Sequence, residues 1–236
     1  MIITYDGREF SGWQRQKNAT TIQETVEEKL SFLLKVQINC TASGRTDAKV
    51  SAYFQPVHFD CDKPFDLDKI KNSLNALLPA SIKVLSIQPT EIHARFSAKR
   101  KTYLYKMYLS NIELPLYTDA LRVEPNVDIK KMKKFLKLLR GTHDFIGFRA
   151  SNAENESTIR TIFSVKLKRV GLYLYFYITG NGFLYKMVRN IVGTMLEVGL
   201  NKIDLVDLKK NIFKSFKAKN TAKPEYLYLL NVNYDK

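Results

Sequence analysis

The sequence predicts an α+β protein built from two related halves, each a mostly antiparallel sheet with helices on one face. Short apolar runs of strand character alternate with longer segments of helical periodicity, and the same pattern begins again after Ala94. Of the 236 residues, 45% are hydrophobic, which is enough for a sizeable core. We expect an N-terminal half over residues 1–97 and a C-terminal half over residues 98–236.

In the first half, a helix is predicted over residues 21–35. Thr20 or Thr21 can cap it, and apolar residues follow at near-helical spacing. A second helix is expected from Leu67 to Leu78, ending before Pro79. The short apolar runs predicted as strands are Ile2–Tyr5, Val36–Cys40, Tyr53–Phe59 and Ile82–Ile87.

The second half is predicted to open with a long strand and to contain a hairpin that turns near Val170 and Gly171. Its basic helix is expected to stop at Gly141. The predicted strands are Lys99–Leu109, Ile162–Lys168, Leu172–Thr179 and Tyr226–Val232, and the predicted helices are Ile129–Leu139, Phe183–Val198 and Leu205–Phe213.

The formal net charge of +15 indicates a polyanionic partner. Nucleic acid is favoured, although an anionic membrane or an acidic protein surface would also attract such a chain. No membrane span is predicted, because the most apolar long segment, 183–200, carries Lys186, Arg189 and Glu197. The N-terminus lacks the pattern of a signal peptide, so we expect a cytoplasmic protein.

The first segment with chemical potential is the polar loop Ser43–Lys49, which lies between two apolar runs. In an extended loop, Arg45 and Asp47 would project to the same side, and the guanidinium would lower the pKa of the carboxyl group. An ionised carboxylate can act as a nucleophile or a base. The alternative is a turn that carries a surface ion pair.

A second segment, Lys99–Tyr108, combines basic residues with tyrosines. Strand alternation places Tyr103, Tyr105 and Met107 on one face. This pattern would allow phosphate contacts beside rings on which a base can stack. A core strand with a solvated basic end explains the same pattern.

The third segment is Gly180–Gly193, in which a glycine-containing turn opens a helix. Lys186, Arg189 and Asn190 fall away from its apolar stripe. Gly193 lies in the middle of the predicted helix, where glycine is destabilising by about 1 kcal/mol, so we expect another backbone or a ligand to approach closely there. A solvated helix face would account for the charged residues alone.

Other chemistries lack sequence support. The three histidines are scattered and the two cysteines cannot supply the usual spacing of a zinc site. No glycine-rich phosphate-binding or dinucleotide-binding pattern is present in the sequence. We therefore expect a reaction that uses neither a metal nor another cofactor.

Taken in order, these segments resemble the tRNA pseudouridine synthase A (TruA) family over nearly the whole chain. The resemblance is specific because many spaced blocks occur in the same order. The blocks are Tyr5-Asp6-Gly7, Ser11–Gln16, Thr21–Glu24, Ser43–Ala48, His93–Ala98 with Tyr103–Tyr105, Gly141–Phe145 with Phe148-Arg149, Arg160–Ile162 and Met187–Gly193.

The resemblance implies roles for individual residues. Asp47 matches the catalytic aspartate, expected to be the nucleophile, and Arg45 matches its loop partner. Tyr103 matches the active-site tyrosine, and Arg189 the basic residue that faces the aspartate. The residues for which it implies substrate contact are Tyr103, Arg15, Lys186, Asn190 and Leu227.

The resemblance also implies the pseudouridine synthase fold, in which two α+β halves form one extended sheet with a central basic cleft. It implies a homodimer in which one tRNA contacts both subunits. The implied activity is that of an isomerase, an intramolecular transferase that converts uridine to pseudouridine in the anticodon stem-loop, at tRNA positions 38, 39 and 40, on several tRNAs.

Three departures from the family pattern stand out. Lys49 and Ser51 occupy positions where the family usually has glycine and histidine, Tyr226 replaces a common glycine, and little sequence precedes Tyr5. Two competing hypotheses explain the basic, aromatic composition without catalysis. They are a tRNA-binding chaperone and a basic ribosome-associated or structural protein.

Overall fold

The computed structural model describes residues 1–150 and 157–234. It divides into two compact units, one comprising Met1–Lys99 and the residues from Tyr228 onward, and the other comprising Arg100–Leu227. In chain order the strands and helices are β1 Ile2–Tyr5, α1 Ile22–Leu34, β2 Thr41–Ala42, β3 Ser51–His58, α2 Leu67–Leu77, β4 Ile82–Ser86, β5 Arg100–Leu109, β6 Leu121–Val123, α3 Ile129–Leu138, β7 Gly141–Asp144, β8 Ile159–Val170, β9 Tyr173–Gly180, α4 Met187–Gly199, α5 Leu205–Asn211 and β10 Leu227–Asn233.

The sheet of the first unit has the strand order β4, β1, β3, β10, and β2 pairs with the C-terminal end of β3. Strand β1 runs antiparallel to both β3 and β4, whereas β10 runs parallel to β3. This parallel pairing explains why the C-terminal strand belongs to the first unit, although the sequence led us to assign all of 98–236 to the second half.

Helices α1 and α2 contact each other in the first unit. Thr21 caps α1 by accepting a hydrogen bond from the amide of Glu24, and Asp66 caps α2 by accepting one from Lys69. Both predicted helices are confirmed. The residues that α1 buries are Ile22, Val26, Glu27, Leu30 and Leu34.

The prediction of a strand over Val36–Cys40 is wrong. Only Thr41–Ala42 pair with β3, and the residues before them are irregular. The amide of Ile38 donates to the Ser31 hydroxyl at 2.9 Å, and the amide of Cys40 donates to the Glu27 carboxylate at 2.7 Å. Side chains of α1 thus take the hydrogen bonds that a strand neighbour would have made.

The sheet of the second unit has the antiparallel order β5, β9, β8, β7, with β6 parallel to β5. The predicted hairpin is confirmed, because β8 and β9 are joined by a turn in which Gly171 has φ 58°. Tyr103, Tyr105 and Met107 alternate along β5 on one buried face, as predicted.

Helix α3 contacts α4, α5 and β8 in the second unit. Helix α4 begins at Met187, not at the predicted Phe183, because Lys186 has φ 58° in the left-handed region and cannot continue a right-handed helix. Each unit combines a mostly antiparallel sheet with helices, which confirms the α+β class. No helix among residues 1–150 and 157–234 is long and apolar enough to cross a membrane.

Candidate active site

The predicted catalytic residue Asp47 lies in the loop between β2 and β3 of the first unit, which we call the aspartate loop, residues 43–50. Its side chain is partly buried. The backbone turns at this point, since the carbonyl of Asp47 accepts a hydrogen bond of 3.1 Å from the amide of Val50. The loop therefore bends back onto the start of β3.

A buried polar network lies beneath the aspartate loop. The amide of Gln55 donates to the carbonyl of Gly44 at 2.7 Å and to the hydroxyl oxygen of Tyr5 at 3.4 Å, and its oxygen accepts from Ser43 at 2.6 Å. Tyr5 shares a hydrogen bond of 2.8 Å with the hydroxyl of Thr46. Burial raises the pKa of Tyr5 to about 12, so its hydroxyl keeps its proton at neutral pH.

Two glycines allow the N-terminal segment to approach the aspartate loop. A Cβ atom on Gly7 would lie 2.0 Å from the carbonyl oxygen of Val50, and one on Gly12, where φ is +91°, would lie 2.7 Å from that of Thr46. The amide of Trp13 donates to the same Thr46 carbonyl at 3.1 Å. The motifs around Gly7 and Gly12 thus shape the loop that carries Asp47.

The structure shows how the chain accommodates Lys49 and Ser51, the two residues near Asp47 that depart from the family pattern. Lys49 adopts φ 66°, the left-handed region that favours glycine. The hydroxyl of Ser51 accepts a hydrogen bond of 3.0 Å from the amide of Gly7. Lys49 is thus tolerated with backbone strain, and Ser51 connects the start of β3 to the N-terminal segment.

The predicted pairing of Arg45 with Asp47 is not formed. Arg45 is exposed and makes no ion pair with any residue that the structure describes. The backbone bends at residues 43–44 and turns at residues 48–49, so the loop is not the flat extended segment on which the prediction depended. Contact of Arg45 with a substrate stays a prediction.

Arg15 is also in the first unit, where its guanidinium forms an ion pair with Glu27. The Glu27 side chain is 1% exposed and accepts further hydrogen bonds from Gln23 at 2.9 Å and from the amide of Cys40 at 2.7 Å. Arg15 thus compensates a buried carboxylate. Its own side chain remains 43% exposed, so the predicted contact with the substrate requires that Arg15 bind the substrate and Glu27 at the same time.

Tyr103 belongs to the second unit, near the start of β5 and opposite Ile178 of β9. It is 8% exposed, and its ring lies perpendicular to the ring of Phe183 at a centroid distance of 5.2 Å. Leu227, the first residue of β10, is 5% exposed. Both side chains are fixed by packing, which limits the positions they can take around a ligand.

Arg189 lies in the first turn of α4 and holds the segment 220–223, which precedes β10. Its Nε donates to the carbonyl of Ala222 at 2.8 Å, and the Ala222 amide donates to the carbonyl of Arg189 at 3.1 Å. A Cβ atom on Gly193 would lie 2.0 Å from the carbonyl oxygen of Asn220. The predicted close approach of another backbone at Gly193 is therefore confirmed.

Asn190 does not have the open position expected of a substrate contact. It is 5% exposed, its amide donates to the carbonyl of Phe148 at 2.8 Å, and its oxygen accepts from the hydroxyl of Thr221 at 2.6 Å. Its donor and acceptor groups are both engaged, so the geometry favours a positioning role. Polar residues near a helix start are easily read as ligand contacts when their buried partners lie far away in sequence.

Lys186 is the residue immediately before α4 and is partly exposed. Its ammonium group lies 4.9 Å from the centroid of the Tyr185 ring, which is 45% exposed. The positive end of the α4 dipole and a nearby cation are both suited to a phosphate group. Substrate contact by Lys186 stays a prediction.

Sequence reasoning assigned no role to Gln55, which is fully buried. One signal was present, namely an amide side chain inside an otherwise apolar run, since such a group requires partners when buried. Among residues 1–150 and 157–234, no group of three or more His, Cys, Asp or Glu side chains is arranged to hold a metal ion.

Comparison with known proteins identifies relatives of the whole chain. A family model described as tRNA pseudouridine synthase matches residues 1–97 and 135–235. Three proteins named tRNA pseudouridine synthase A match 99% of this chain. The protein from Thermoanaerobacter sp. strain X514 is 36% identical, and the match covers 98% of its length. The proteins from Geobacter sp. strain M21 and from Streptococcus mutans are each 39% identical, and each match covers 97% of the protein's length.

Proposed function

The chain belongs to the tRNA pseudouridine synthase family, and we propose that it isomerises uridines of the tRNA anticodon stem-loop, at positions 38, 39 and 40 of several tRNAs. It is an isomerase of the intramolecular transferase class. The observation that supports the catalytic proposal is the position of Asp47 in a turn that Gln55 and Tyr5 hold from beneath. A catalytic carboxylate must be held in one geometry, and such a network provides this.

The reaction rearranges one nucleotide without adding or removing atoms. The bond between ribose C1′ and uracil N1 breaks, the base turns, and a bond forms between C1′ and C5. The proton on C5 is then removed, and N1 ends protonated. Asp47 begins this sequence either by attacking C1′ or by taking a proton from the ribose, and both routes use the same ionised carboxylate.

The target uridine must leave the base stack before Asp47 can reach its ribose. Flipping requires a few kcal/mol of unstacking free energy, which contacts to the extruded nucleotide offset. In our proposal Tyr103 stacks on the flipped base and helps to remove the C5 proton, while Arg189 or Arg45 supports the vacated position. Lys186, Arg15 and Leu227 contact the substrate around it.

The net charge of +15 suits tRNA as the partner. By resemblance to the family, we also propose that the enzyme works as a homodimer in the cytoplasm without a cofactor. A monomeric mass in light scattering at micromolar protein would contradict the dimer.

Tritium release from tRNA labelled at uridine C5 tests the activity and the role of Asp47 together. Asp47→Asn should reduce the rate by at least about 10³-fold, because the amide is neither a nucleophile nor a base, while tRNA binding persists. Asp68→Asn is the matched control, since it removes the same charge from a side chain that is 91% exposed in α2.

Two outcomes would contradict the proposal. Unchanged tritium release by Asp47→Asn would show that another group carries the chemistry. No release by wild-type protein that still binds folded tRNA would favour the chaperone hypothesis.

A further inference from the structure

An open groove of about 730 Å³ lies in the second unit, between the end of α3 and strands β7 and β8. None of its residues was singled out as a candidate for the chemistry. We call it the α3–β8 groove, and its lining residues are Lys137, Arg140, Gly141, Thr161, Ile162 and Phe163.

The groove is strongly positive. Lys137 and Arg140 are both exposed, and neither forms an ion pair with the residues that the structure describes. Thr161 adds a hydroxyl at the groove wall, where it shares a hydrogen bond of 2.8 Å with Thr142. Two exposed cations that form no ion pair within the described part of the chain, beside hydroxyl groups, are complementary to a phosphate backbone.

An aromatic wall adds a second kind of contact. Phe163 is 38% exposed, and the Arg100 guanidinium lies 5.0 Å from the centroid of its ring. Phe163 stands where the register between β8 and β9 shifts, between Ile162 and Ser164. A bulge of this kind redirects a side chain, and here it coincides with an aromatic ring at the protein surface.

We propose that the α3–β8 groove binds the tRNA substrate outside the target nucleotide, with Lys137 and Arg140 on its phosphates and one unpaired base stacked on Phe163 and Arg100. An exposed aromatic ring beside a guanidinium is a stacking platform for any base. Arg100 and Tyr103 are three residues apart on β5 and therefore project to opposite faces of the strand, so a base stacked beside Arg100 is distinct from the target base at Tyr103.

This inference rests on the proposed function, because it takes the tRNA substrate as the occupant. The positive charge of the groove favours RNA over an apolar protein segment, and the aromatic ring favours a nucleotide over a simple anion. An acidic protein is the competing occupant. It would leave the kinetics on tRNA unchanged when the groove is altered.

Steady-state kinetics on labelled tRNA test the stacking contact. Phe163→Ala should raise KM about 5- to 150-fold, the range expected for loss of one base–aromatic stack, with kcat unchanged at saturating tRNA. Phe163→Trp should keep KM near the wild-type value. Phe32→Ala, which removes a 72% exposed ring from α1, is the matched control and should leave KM unchanged.

The salt dependence of tRNA binding tests the cations. Replacing Lys137 and Arg140 together by alanine should lower the slope of log K against log salt by about 1.5, since each phosphate contact contributes about 0.7–0.9. Replacing Lys130 and Lys134 by alanine removes two exposed charges from the same helix outside the groove. That control should change the slope by much less.

The outcomes separate this inference from the proposed function. Wild-type tritium release with an unchanged KM for Phe163→Ala and equal salt slopes for the two double variants would overturn the groove proposal alone. If wild-type protein releases no tritium, the proposed function fails, and the binding slopes still report whether the groove contacts RNA.

Discussion

The aspartate loop in the first unit and the start of α4 in the second are held by the same two devices. Each has a buried amide side chain that bonds to the backbone, Gln55 in one case and Asn190 in the other. Each also has a glycine on which a Cβ atom would lie 2.0 Å from a carbonyl oxygen, Gly7 and Gly193. Both segments therefore depend on close backbone approach and on a satisfied amide.

The two regions differ in which residues hold them. The aspartate loop is fixed by Tyr5, Ser43 and Gln55, none of which we place in the chemistry. At α4, Arg189 itself bonds to the backbone of Ala222. Substitutions beneath the aspartate loop can therefore alter its geometry without removing a catalytic group. Substitutions of Arg189, in contrast, will remove any substrate contact of its guanidinium and also release the backbone of Ala222.

The largest expected effect comes from the two glycines. In an exposed helix, glycine to alanine stabilises by about 1 kcal/mol, yet Gly193→Ala should destabilise by about 3 kcal/mol, because the new methyl group meets the Asn220 carbonyl. Gly7→Ala should cost a similar amount through Val50. Urea denaturation at equilibrium gives both free energies of unfolding.

Gly171→Ala is the control for this experiment, since no heavy atom lies within 4 Å of the added Cβ and only its φ of +58° is unfavourable. It should cost about 1–2 kcal/mol. A Gly193→Ala protein as stable as wild type would show that segment 220–223 can move away from α4. The close backbone approach at Gly193 would then not be required for stability.

Substitution of the two buried amide residues, Gln55 and Asn190, should affect the kinetics of the enzyme in different ways. Gln55→Met leaves the Gly44 carbonyl without its amide donor, at a cost of about 2–3 kcal/mol, and displaces the aspartate loop. We expect kcat to fall about 10- to 100-fold with little change in KM. Asn190→Leu should cost similar stability but change kcat and KM together, because it lies beside Arg189 and Thr221.

Separate measurement of kcat and KM in the tritium-release assay decides this point. If Gln55→Met raised KM alone, the network would support binding and not the geometry of the catalytic loop. Circular dichroism spectra and urea midpoints of both variants show whether they remain folded under the assay conditions.

The smallest effect concerns two lysines with positive φ, Lys49 in the aspartate loop and Lys186 before α4. Lys49→Gly should stabilise by about 0.5 kcal/mol, because the relief of about 1–2 kcal/mol of left-handed strain exceeds the entropy cost of glycine together with the loss of the lysine side chain's own interaction. Lys186→Gly should be nearly neutral, since it also removes the contact with the Tyr185 ring. Thermal and urea unfolding compare the two, and a destabilised Lys49→Gly would reverse the expected order.

Much of the fold could be predicted from the sequence because local signals determined it. Thr21 marked the start of α1, and strand alternation placed Tyr103 and Tyr105 on one face. The error at 36–40 arose because an apolar run in this chain bonds to α1 side chains and not to a strand. Periodicity cannot reveal such a choice of hydrogen-bond partner.

The candidate site was only partly predictable for a similar reason. Short motifs led to Asp47, but the partners of Gln55 include Tyr5, which is 50 residues away in sequence. The expected Arg45–Asp47 pair assumed a regular extended loop, whereas the backbone bends before Arg45 and begins a turn at Asp47. Local spacing therefore predicted the residue types of the site, and long-range hydrogen bonds determined their arrangement.

The parallel pairing of β10 with β3 has a consequence for synthesis of the chain on the ribosome. The first unit consists of residues distant in sequence, whereas the second is one continuous stretch. During translation β3 has no partner on its β10 side until residues 227–233 have emerged, so the second unit can complete its own sheet first. We therefore expect the unit that contains the N-terminus to be the last to finish folding.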